Sequence, residues 1–560
     1  MKQLIECVPN FSEGRDLAVL KIITDEIEKV DGVKLLDVDA GYATNRTVVT
    51  FVGEPEPVIE AAFRAIKKAA EVIDMSKHSG EHPRMGATDV CPLIPIANIS
   101  MAECAEWAHK LGKKVGEQTD VPVYMYEAAA TRPERRNLAS IRAGEFEALP
   151  RKMTLPEWTP DYGKAHFNAR AGATVIGARD FLVAYNVNLN TSSVRRANSV
   201  AFDVREQGRI LREGDPINGT VVNDENGEPI RIPGSCKSVK GIGWFIEEYG
   251  IAQVSMNLTN INVSPLHMVF DECCKSAERH GLRVTGSELV GLVPKKVLTD
   301  AGKYFLEKQR RSAGISDEEL IDIAVKTLGL SELSPFDPKK KIIEYQMDDA
   351  AASPLIQKNL REFAAVTASE SPAPGGGSVA AYVGTLGISL ATMVANLSAH
   401  KKGWEAQWKT FSAIAEKGQQ LKDELLRMVD EDTRAFNGIM EAFAMPKNTQ
   451  EEKNARTAQI QMATKTAIEI PLKVMELCFS TFDIIEEMVK NGNPNSVTDA
   501  GVGALCARAA VHGAYLNVKI NSSGLKDESY VEKTLKNASE IIAQTDLREK
   551  QILQLVDERM

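Results

Sequence analysis

"SPAPGGGSVAAYVGTLGISLATMVANLS", residues Ser371–Ser398, lies near the start of the part of this chain that is helical in pattern. Its three glycines lead into an uncharged run of small and apolar residues that is long enough to span a membrane. However, polar residues such as Thr385 and Asn396 fall inside the run, and the rest of the chain holds no comparable segment. Because small residues let helices approach closely, we expect a buried helix of a bundle and no membrane partner.

The sequence pattern changes at about Ser353, ahead of this stretch. After about Ser353 the sequence is helical almost throughout, which predicts an all-helical domain. Before it, strand-like and helix-like segments alternate, which predicts sheets covered by helices. This α/β part contains two series of similar order, although no residue-level repeat proves a duplication.

A chain of 560 residues is too long for one hydrophobic core, so several domains are expected. We predict two α/β subdomains at residues 1–178 and 179–334, a linker at 335–352 and an all-α helical-bundle domain at 353–560. Residues 153–180 have turn composition and predict a long surface loop, and the glycine-rich stretch 212–235 predicts a surface hairpin.

Composition excludes several classes of function. The net charge of −10 argues against a nucleic-acid partner. The basic cluster at 132–142 is expected to be a solvated face for most of its residues, the alternative being that a minority hold the carboxylates of an anionic small molecule. Eight scattered cysteines and a start without a signal-peptide pattern predict a reduced, cytoplasmic protein. His78 and His82 lie four residues apart, but a glycine and a proline break any helix there, so no metal site is expected.

His82 is the best acid/base candidate of the α/β part. It lies in "GEHPRMGATDVCP", residues Gly80–Pro92, directly before a proline that forces it into an extended conformation. An imidazole on such a stiff turn, with a pKa near neutrality, suits proton transfer. Arg84 follows the same proline and is predicted to position a substrate.

Three further polar residues are predicted to position a substrate. Asp39 is expected where one strand passes into a turn, and Asn45 and Arg46 open the next strand. An aspartate at a turn also commonly caps backbone N–H groups, and that alternative explains Asp39 equally well.

In the helical part, Gly375, Gly376 and Gly377 stand directly before a helix. Backbone N–H groups at such a start can hold an anion or the polar edge of a heterocycle. "VDEDTRAF" places Asp430 and Asp432 on another helix, where a spacing of two turns them to different faces. Only one of these two aspartates can therefore enter a given pocket.

Longer motifs on both sides of the change resemble one enzyme family. The α/β part carries "ECVPNFSEGRD", "LLDVDAG", "TNRTVVTFVG", "GEHPRMGATDVCP", "REQGR", "VKGIGW" and "GLVP", and the helical part carries "SPAPGGGSVAA", "VDEDTRAF", "MPKNTQEEK" and "NVKIN". These stretches resemble the formimidoyltransferase-cyclodeaminases over essentially the whole chain. The resemblance implies a bifunctional folate enzyme of histidine degradation, a transferase and an ammonia lyase, with tetrahydrofolate as co-substrate and N-formimidoyl-L-glutamate as donor.

The resemblance also implies roles for individual residues. His82 matches the transferase acid/base group, and Asp432 is favoured over Asp430 as the cyclodeaminase acid because it begins the specific run "DTRAF". The glycine start with Ser378 is expected to border the second folate pocket. The loop that matches the folate-binding segment contributes Gly163, Lys164, His166, Asn168, Arg170 and Gly172.

Three matters beyond chemistry follow from the same resemblance: a homo-oligomer formed through the helical domain, a substrate folate that includes polyglutamated forms, and an insertion at 210–238 that is absent from animal members. Two alternatives stay open. One is a glutamate formyltransferase joined to a methenyltetrahydrofolate cyclohydrolase, and the other is a folate-binding oligomeric scaffold without catalysis.

Overall fold

The computed structural model describes residues 3–42, 44–80, 83–215, 218–347 and 354–560. The chain divides into two compact units. One comprises Met1–Leu298 and Val325–Met347, and the other Thr299–Ala324 and Asp348–Met560. The helical unit thus includes a segment that the sequence pattern assigned to the second α/β subdomain, while the predicted boundaries at 178, 334 and 352 stay predictions.

The first α/β subdomain is built on a seven-stranded sheet. Its strands are β1 (Leu4–Cys7), β2 (Asn10–Phe11), β3 (Val33–Gly41), β4 (Arg46–Gly53), β5 (Thr88–Ala97), β6 (Val123–Glu127) and β7 (Thr174–Ala178). Its helices are α1 (Leu17–Glu28), α2 (Pro55–Val72), α3 (Met101–Gln118), α4 (Leu138–Arg142) and α5 (Glu145–Lys152). The strands lie in the order β3-β4-β1/β2-β5-β7-β6.

One face of this sheet packs on helices α1 to α3, where Ile5, Cys7 and Phe51 are fully buried. Because side chains alternate along a strand, Glu6 points to the other face. Helix α3 begins with a capping box, in which Ser100 and Glu103 satisfy each other's backbone N–H groups.

The second α/β subdomain repeats this arrangement in a four-stranded antiparallel sheet. The strands of this sheet are β8 (Val183–Leu189), β13 (Val239–Ile246), β14 (Ile251–Leu258) and β15 (Val284–Val290). Four short strands between β8 and β13 form two separate pairs: β9 (Arg209–Ile210), β10 (Arg212–Glu213), β11 (Thr220–Val221) and β12 (Arg231–Ile232). Its helices are α6 (Val194–Val204) and α7 (Leu266–Arg279). Four helices follow in the chain, α8 (Lys295–Lys308), α9 (Asp317–Leu328), α10 (Pro338–Lys341) and α11 (Ile343–Met347), and most of α8 and α9 belongs to the helical unit.

The order β13-β14-β8-β15 matches β3-β4-β1-β5 of the first sheet, and both follow a β-α-β-β-α-β chain order. The similar order of the two series in the sequence therefore corresponds to two sheets of the same topology. The insertion forms short antiparallel pairs, β9 with β12 and β10 with β11, and Gly227 N–H donates to the Asp224 carbonyl at its tip. The predicted hairpin is confirmed for the described part, which excludes residues 216–217.

One expectation was wrong. Residues 153–180 are not a loop throughout, because β7 lies between β5 and β6 and is parallel to both. The linker at 335–352 stays a prediction; α10 and α11 lie in its described part, where Ile342 is fully buried. In the basic cluster, which was expected to be solvated for most of its residues, Arg135 is buried and pairs with Asp161 at 2.6 Å.

The helical unit is an all-α bundle, as predicted. Its main helices are α12 (Leu360–Thr367), α13 (Gly376–Ala399), α14 (Trp408–Ala444), α15 (Gln450–Asn491), α16 (Val497–Ser522) and α17 (Glu528–Asp557). Of the described helices, α13 alone is long and apolar enough to cross a membrane. In this structure it packs against α14 and α16, and 61% of its most apolar window is buried, as in a core helix.

Candidate active sites

The segment that carries the predicted transferase acid/base group is held firmly at its start. His82 itself, with residue 81, lies outside the described residues. Asn45 has a left-handed backbone, with φ of 47°, and its side chain links two segments. Its carbonyl accepts from Gly14 N–H at 3.1 Å, and its amide donates to the Ser79 carbonyl at 2.9 Å. Asn45 thereby orders the chain that leads into His82.

Arg84 holds the other end of the same turn. Its guanidinium donates to Glu145 at 2.8 Å and to Glu147 at 2.6 Å, and its Nε donates to Nδ1 of His78 at 3.3 Å. Only 8% of Arg84 is exposed. Because these partners engage the guanidinium, the structure gives Arg84 a supporting contact, and its predicted contact with substrate stays a prediction.

Arg46 belongs to a buried ion cluster. Its guanidinium lies 3.5 Å from the carboxylate of Asp89, which is fully buried and also accepts from Arg142 Nε at 3.2 Å. Burial lowers the pKa of Arg46 to about 10, although the Asp89 charge opposes that shift. Asp89 is not among the site residues predicted from the sequence. An aspartate inside the apolar strand "TDVCPLIPI" was the available signal, because a buried carboxylate needs buried partners.

Asp39 lies within β3, opposite Val48, and not at the end of the strand as expected. It shares the face of the sheet that turns away from α1 to α3 with Asp37 and Glu6. Glu6 is only 3% exposed, and no hydrogen bond to it exists among the described residues. Burial raises its pKa to about 7, against the opposing charge of Arg179. Sequence reasoning missed this carboxyl group.

The loop from Gly163 to Gly172 runs beside the His82 segment. Ala87 N–H donates to the Ala171 carbonyl at 2.8 Å, and Gly86 forms a bridge with Gly172. The loop thus contacts Gly86 and Ala87, directly before β5, and its proximity to His82 stays a prediction.

Within this loop the predicted residues divide into two kinds. Asn168 accepts from the N–H groups of Arg170 and Ala171, and Arg170 donates to the Glu71 carbonyl at 2.6 Å, so both hold the loop in shape. Lys164 and His166 are exposed. These two side chains are therefore the ones best placed to meet a ligand.

In the helical unit, Asp432 on α14 meets the glycine start of α13. Its carboxylate accepts from the Ser378 hydroxyl at 3.0 Å. A Cβ added to Gly377 would lie 2.1 Å from the same carboxylate, so only glycine permits this approach. Burial raises the pKa of Asp432, while its hydrogen bonds from Ser378 act in the opposite direction.

Asp430 has a different environment. It is buried and accepts from the N–H groups of Leu355 at 2.9 Å and Ile356 at 3.3 Å. On α16, the Asn517 side chain lies against Gly376, where an added Cβ would be 3.3 Å from its nitrogen. Asn517 belongs to the motif "NVKIN" but is not among the site residues predicted from the sequence. Within the described ranges, no group of three or more His, Cys, Asp or Glu side chains could hold a metal ion.

Family models match three consecutive parts of the chain. Residues 4–179 match the formiminotransferase domain, N-terminal subdomain, and residues 184–348 match the formiminotransferase domain. Residues 359–540 match the family described as formiminotransferase-cyclodeaminase.

Curated relatives cover the whole chain and each half. A formimidoyltransferase-cyclodeaminase of Gallus gallus is 43% identical over 100% of both chains. A glutamate formimidoyltransferase of Streptococcus pyogenes serotype M1 is 41% identical over 55% of this chain and 94% of its own. A methenyltetrahydrofolate cyclohydrolase of Methylorubrum extorquens is 38% identical over 34% of this chain and 93% of its own. This chain belongs to the formimidoyltransferase-cyclodeaminase family.

Proposed function

We propose that the chain catalyses two consecutive steps of histidine degradation that load a one-carbon group onto folate. The α/β half transfers formimidoyl from N-formimidoyl-L-glutamate to N5 of tetrahydrofolate. The helical half closes the product to 5,10-methenyltetrahydrofolate and releases ammonia. The observation that carries the proposal is the half-buried Asp432 carboxyl group at the glycine start of α13, in a chain similar over its full length to formimidoyltransferase-cyclodeaminases.

The first step needs one group that moves protons. As N5 attacks the amidine carbon it must lose a proton, and the departing glutamate nitrogen must gain one. An imidazole can do both, and His82 is the candidate. Support comes from the described residues before and after it in the sequence, because Asn45 donates to the Ser79 carbonyl and Arg84 donates to Glu145.

The second step needs a base at N10. N10 attacks the amidinium carbon, its proton passes to Asp432, and the carboxyl group returns that proton to the leaving nitrogen as ammonia departs. A burial-raised pKa makes this carboxylate a stronger base than one in water. The hydroxyl of Ser378 fixes its orientation.

A second candidate function concerns the donor. The cyclohydrolase relative matches the helical half. This supports a variant in which formyl is the group transferred and ring closure releases water where the formimidoyl reaction releases ammonia. Comparing N-formimidoyl-L-glutamate with N-formyl-L-glutamate in the same assay separates the two. We favour the formimidoyl donor because the full-length relatives are named formimidoyltransferase-cyclodeaminases.

We further propose a cytoplasmic homo-oligomer that accepts polyglutamated folate. All eight cysteines are free thiols in the structure, in keeping with a reducing compartment. An exposed apolar band on α13 and α16 supports self-association. Leu386 and Val502 are 46% and 48% exposed, and their chain neighbours Gly387 and Gly503 lie in contact.

The direct test uses purified protein with tetrahydrofolate and N-formimidoyl-L-glutamate. We expect 5,10-methenyltetrahydrofolate, measured by its absorbance, and ammonia to form in equimolar amounts. A correctly folded protein that yields neither product contradicts the proposal. Tight folate binding with turnover unaffected by His82→Ala would favour the scaffold alternative.

A further inference from the structure

A cavity of about 580 Å³ lies between the C-terminal part of α14 and the N-terminal part of α15. Its lining combines small apolar residues, two methionines and several polar groups. The members that matter here are Glu431, Ala435, Gly438, Glu441, Ala442 and Gln459. The volume is that of a small-molecule site.

Gly438 is the unusual member of this lining. It lies inside a helix of 37 residues, where glycine is less favourable than alanine. No heavy atom comes within 4 Å of the place where its Cβ would stand, so the chain's own packing does not require glycine. The missing side chain leaves space that a molecule from outside the fold can enter.

The cavity adjoins the candidate acid on the same helix. Ala435 follows Asp432 by three residues, and residues at that spacing are surface neighbours, with Cβ atoms roughly 5–6 Å apart. A molecule that fills the cavity can therefore reach Asp432 across a single helical turn. At the rim, Glu431 pairs with Arg434 at 3.2 Å.

We propose that this cavity receives the pterin ring of the folate during ring closure, an inference that rests on the proposed function. A pterin is flat, which suits a floor made of Ala435, Gly438 and Ala442. Its 2-amino and N3–H groups form a pair of donors, for which a carboxylate is the matching acceptor. Glu441 is that acceptor, since it makes no hydrogen bond or ion pair with the described residues, whereas Arg434 engages Glu431.

The test fills the cavity and removes its acceptor. Gly438→Leu places a side chain in open space, and Asn437→Leu adds the same side chain at a neighbouring position outside the lining. Glu441→Gln removes the charge, with Glu424→Gln as the control at an exposed position of the same helix. With 5-formimidoyltetrahydrofolate as substrate, we expect KM of the cyclodeaminase step to rise about ten-fold or more in the two cavity variants only. The transferase rate is expected to stay unchanged.

Asp432→Asn, measured alongside, separates the two levels of the argument. If Asp432→Asn is inactive but Gly438→Leu and Glu441→Gln keep the wild-type KM, the cavity assignment is wrong and the proposed function stands. If Asp432→Asn turns over normally, the role of Asp432 is wrong, whereas a folded parent protein that forms neither methenyl product nor ammonia would overturn the proposed function itself. A changed oligomer mass for Gly438→Leu with unaltered KM would assign the cavity to a subunit contact and overturn the inference.

Discussion

Asp430 and Asp432 stand two residues apart on α14, and their neighbours give them different tasks. Asp430 accepts two backbone N–H groups, from Leu355 and Ile356, and so fixes the chain that precedes α12. Asp432 instead meets Ser378 at the glycine start of α13. The spacing alone predicted that they face different ways, but it could not say which faces the site, because that depends on helices distant in sequence.

Asp430→Ala tests the structural half of this distinction. The change leaves the N–H groups of buried Leu355 and half-buried Ile356 without acceptors, which costs roughly 1–3 kcal/mol for a buried donor and less for a partly exposed one. We expect a clearly lower melting temperature for the helical unit and an unchanged cyclodeaminase rate per folded molecule. Calorimetry with activity assays below the transition checks this, and lost turnover at full stability would contradict it.

Glu6 makes stability depend on pH. Its pKa is about 7 in the folded chain against an ordinary value of 4.5, so the folded protein binds more protons between these values. Stability therefore falls as pH rises from about 4.5 to 7, by up to about 3 kcal/mol. We expect Glu6→Gln to be more stable than the parent protein at pH 8, with most of that advantage absent at pH 4.5. Thermal unfolding of both proteins at both pH values checks this, and a difference independent of pH would refute it.

Among the elements, local pattern identified those with strong periodicity and missed those that depend on partners. The long helices and the hairpin of the insertion were predicted, whereas β7 was expected to be loop. Its Gly177 and short length give little strand signal, but a Cβ there would lie 2.4 Å from Tyr126, so the strand needs glycine to pack beside β6. This requirement comes from the partner strand β6, so the local sequence of β7 does not reveal it.

Two glycine substitutions of equal size should act in opposite directions. Gly438→Ala meets open space and should stabilise α14 by about 0.5–1 kcal/mol through helix propensity. Gly387→Ala places a methyl group 2.9 Å from the Gly503 carbonyl, so α13 and α16 must separate, at a cost of about 1–3 kcal/mol. Melting temperatures of the two variants check this, and shifts of the same sign would be the contrary result.

At the scale of the whole molecule, the change of pattern at about Ser353 predicted the division between α/β and helical parts. It did not predict that Thr299–Ala324 joins the helical unit. That membership rests on contacts between distant segments, such as the Asn396 amide donating to the Gly314 carbonyl at 2.7 Å. Of the sites, the meeting of Asp432 with the glycine start was anticipated, while Asp89, Arg142 and Glu6 were not.

The apolar band on α13 and α16 predicts an assembly through the helical unit. Placing charges there, as in Leu386→Glu with Val502→Glu, should disrupt a contact between copies because unpaired carboxylates resist burial. We expect light scattering to show a smaller particle with unchanged helix content. Glu424→Gln on an exposed face serves as the control, and an unchanged mass for the double variant would place the interface elsewhere.

The central claim is that two separate sites perform two proton-transfer steps in one chain. The most direct measurement is product analysis by chromatography after Asp432→Asn is incubated with tetrahydrofolate and N-formimidoyl-L-glutamate. We predict that 5-formimidoyltetrahydrofolate and glutamate accumulate at the parent rate, while enzymatic release of 5,10-methenyltetrahydrofolate and ammonia falls by about 100-fold or more, the lower end of what a general base contributes. Methenyl product at the parent rate would contradict the account.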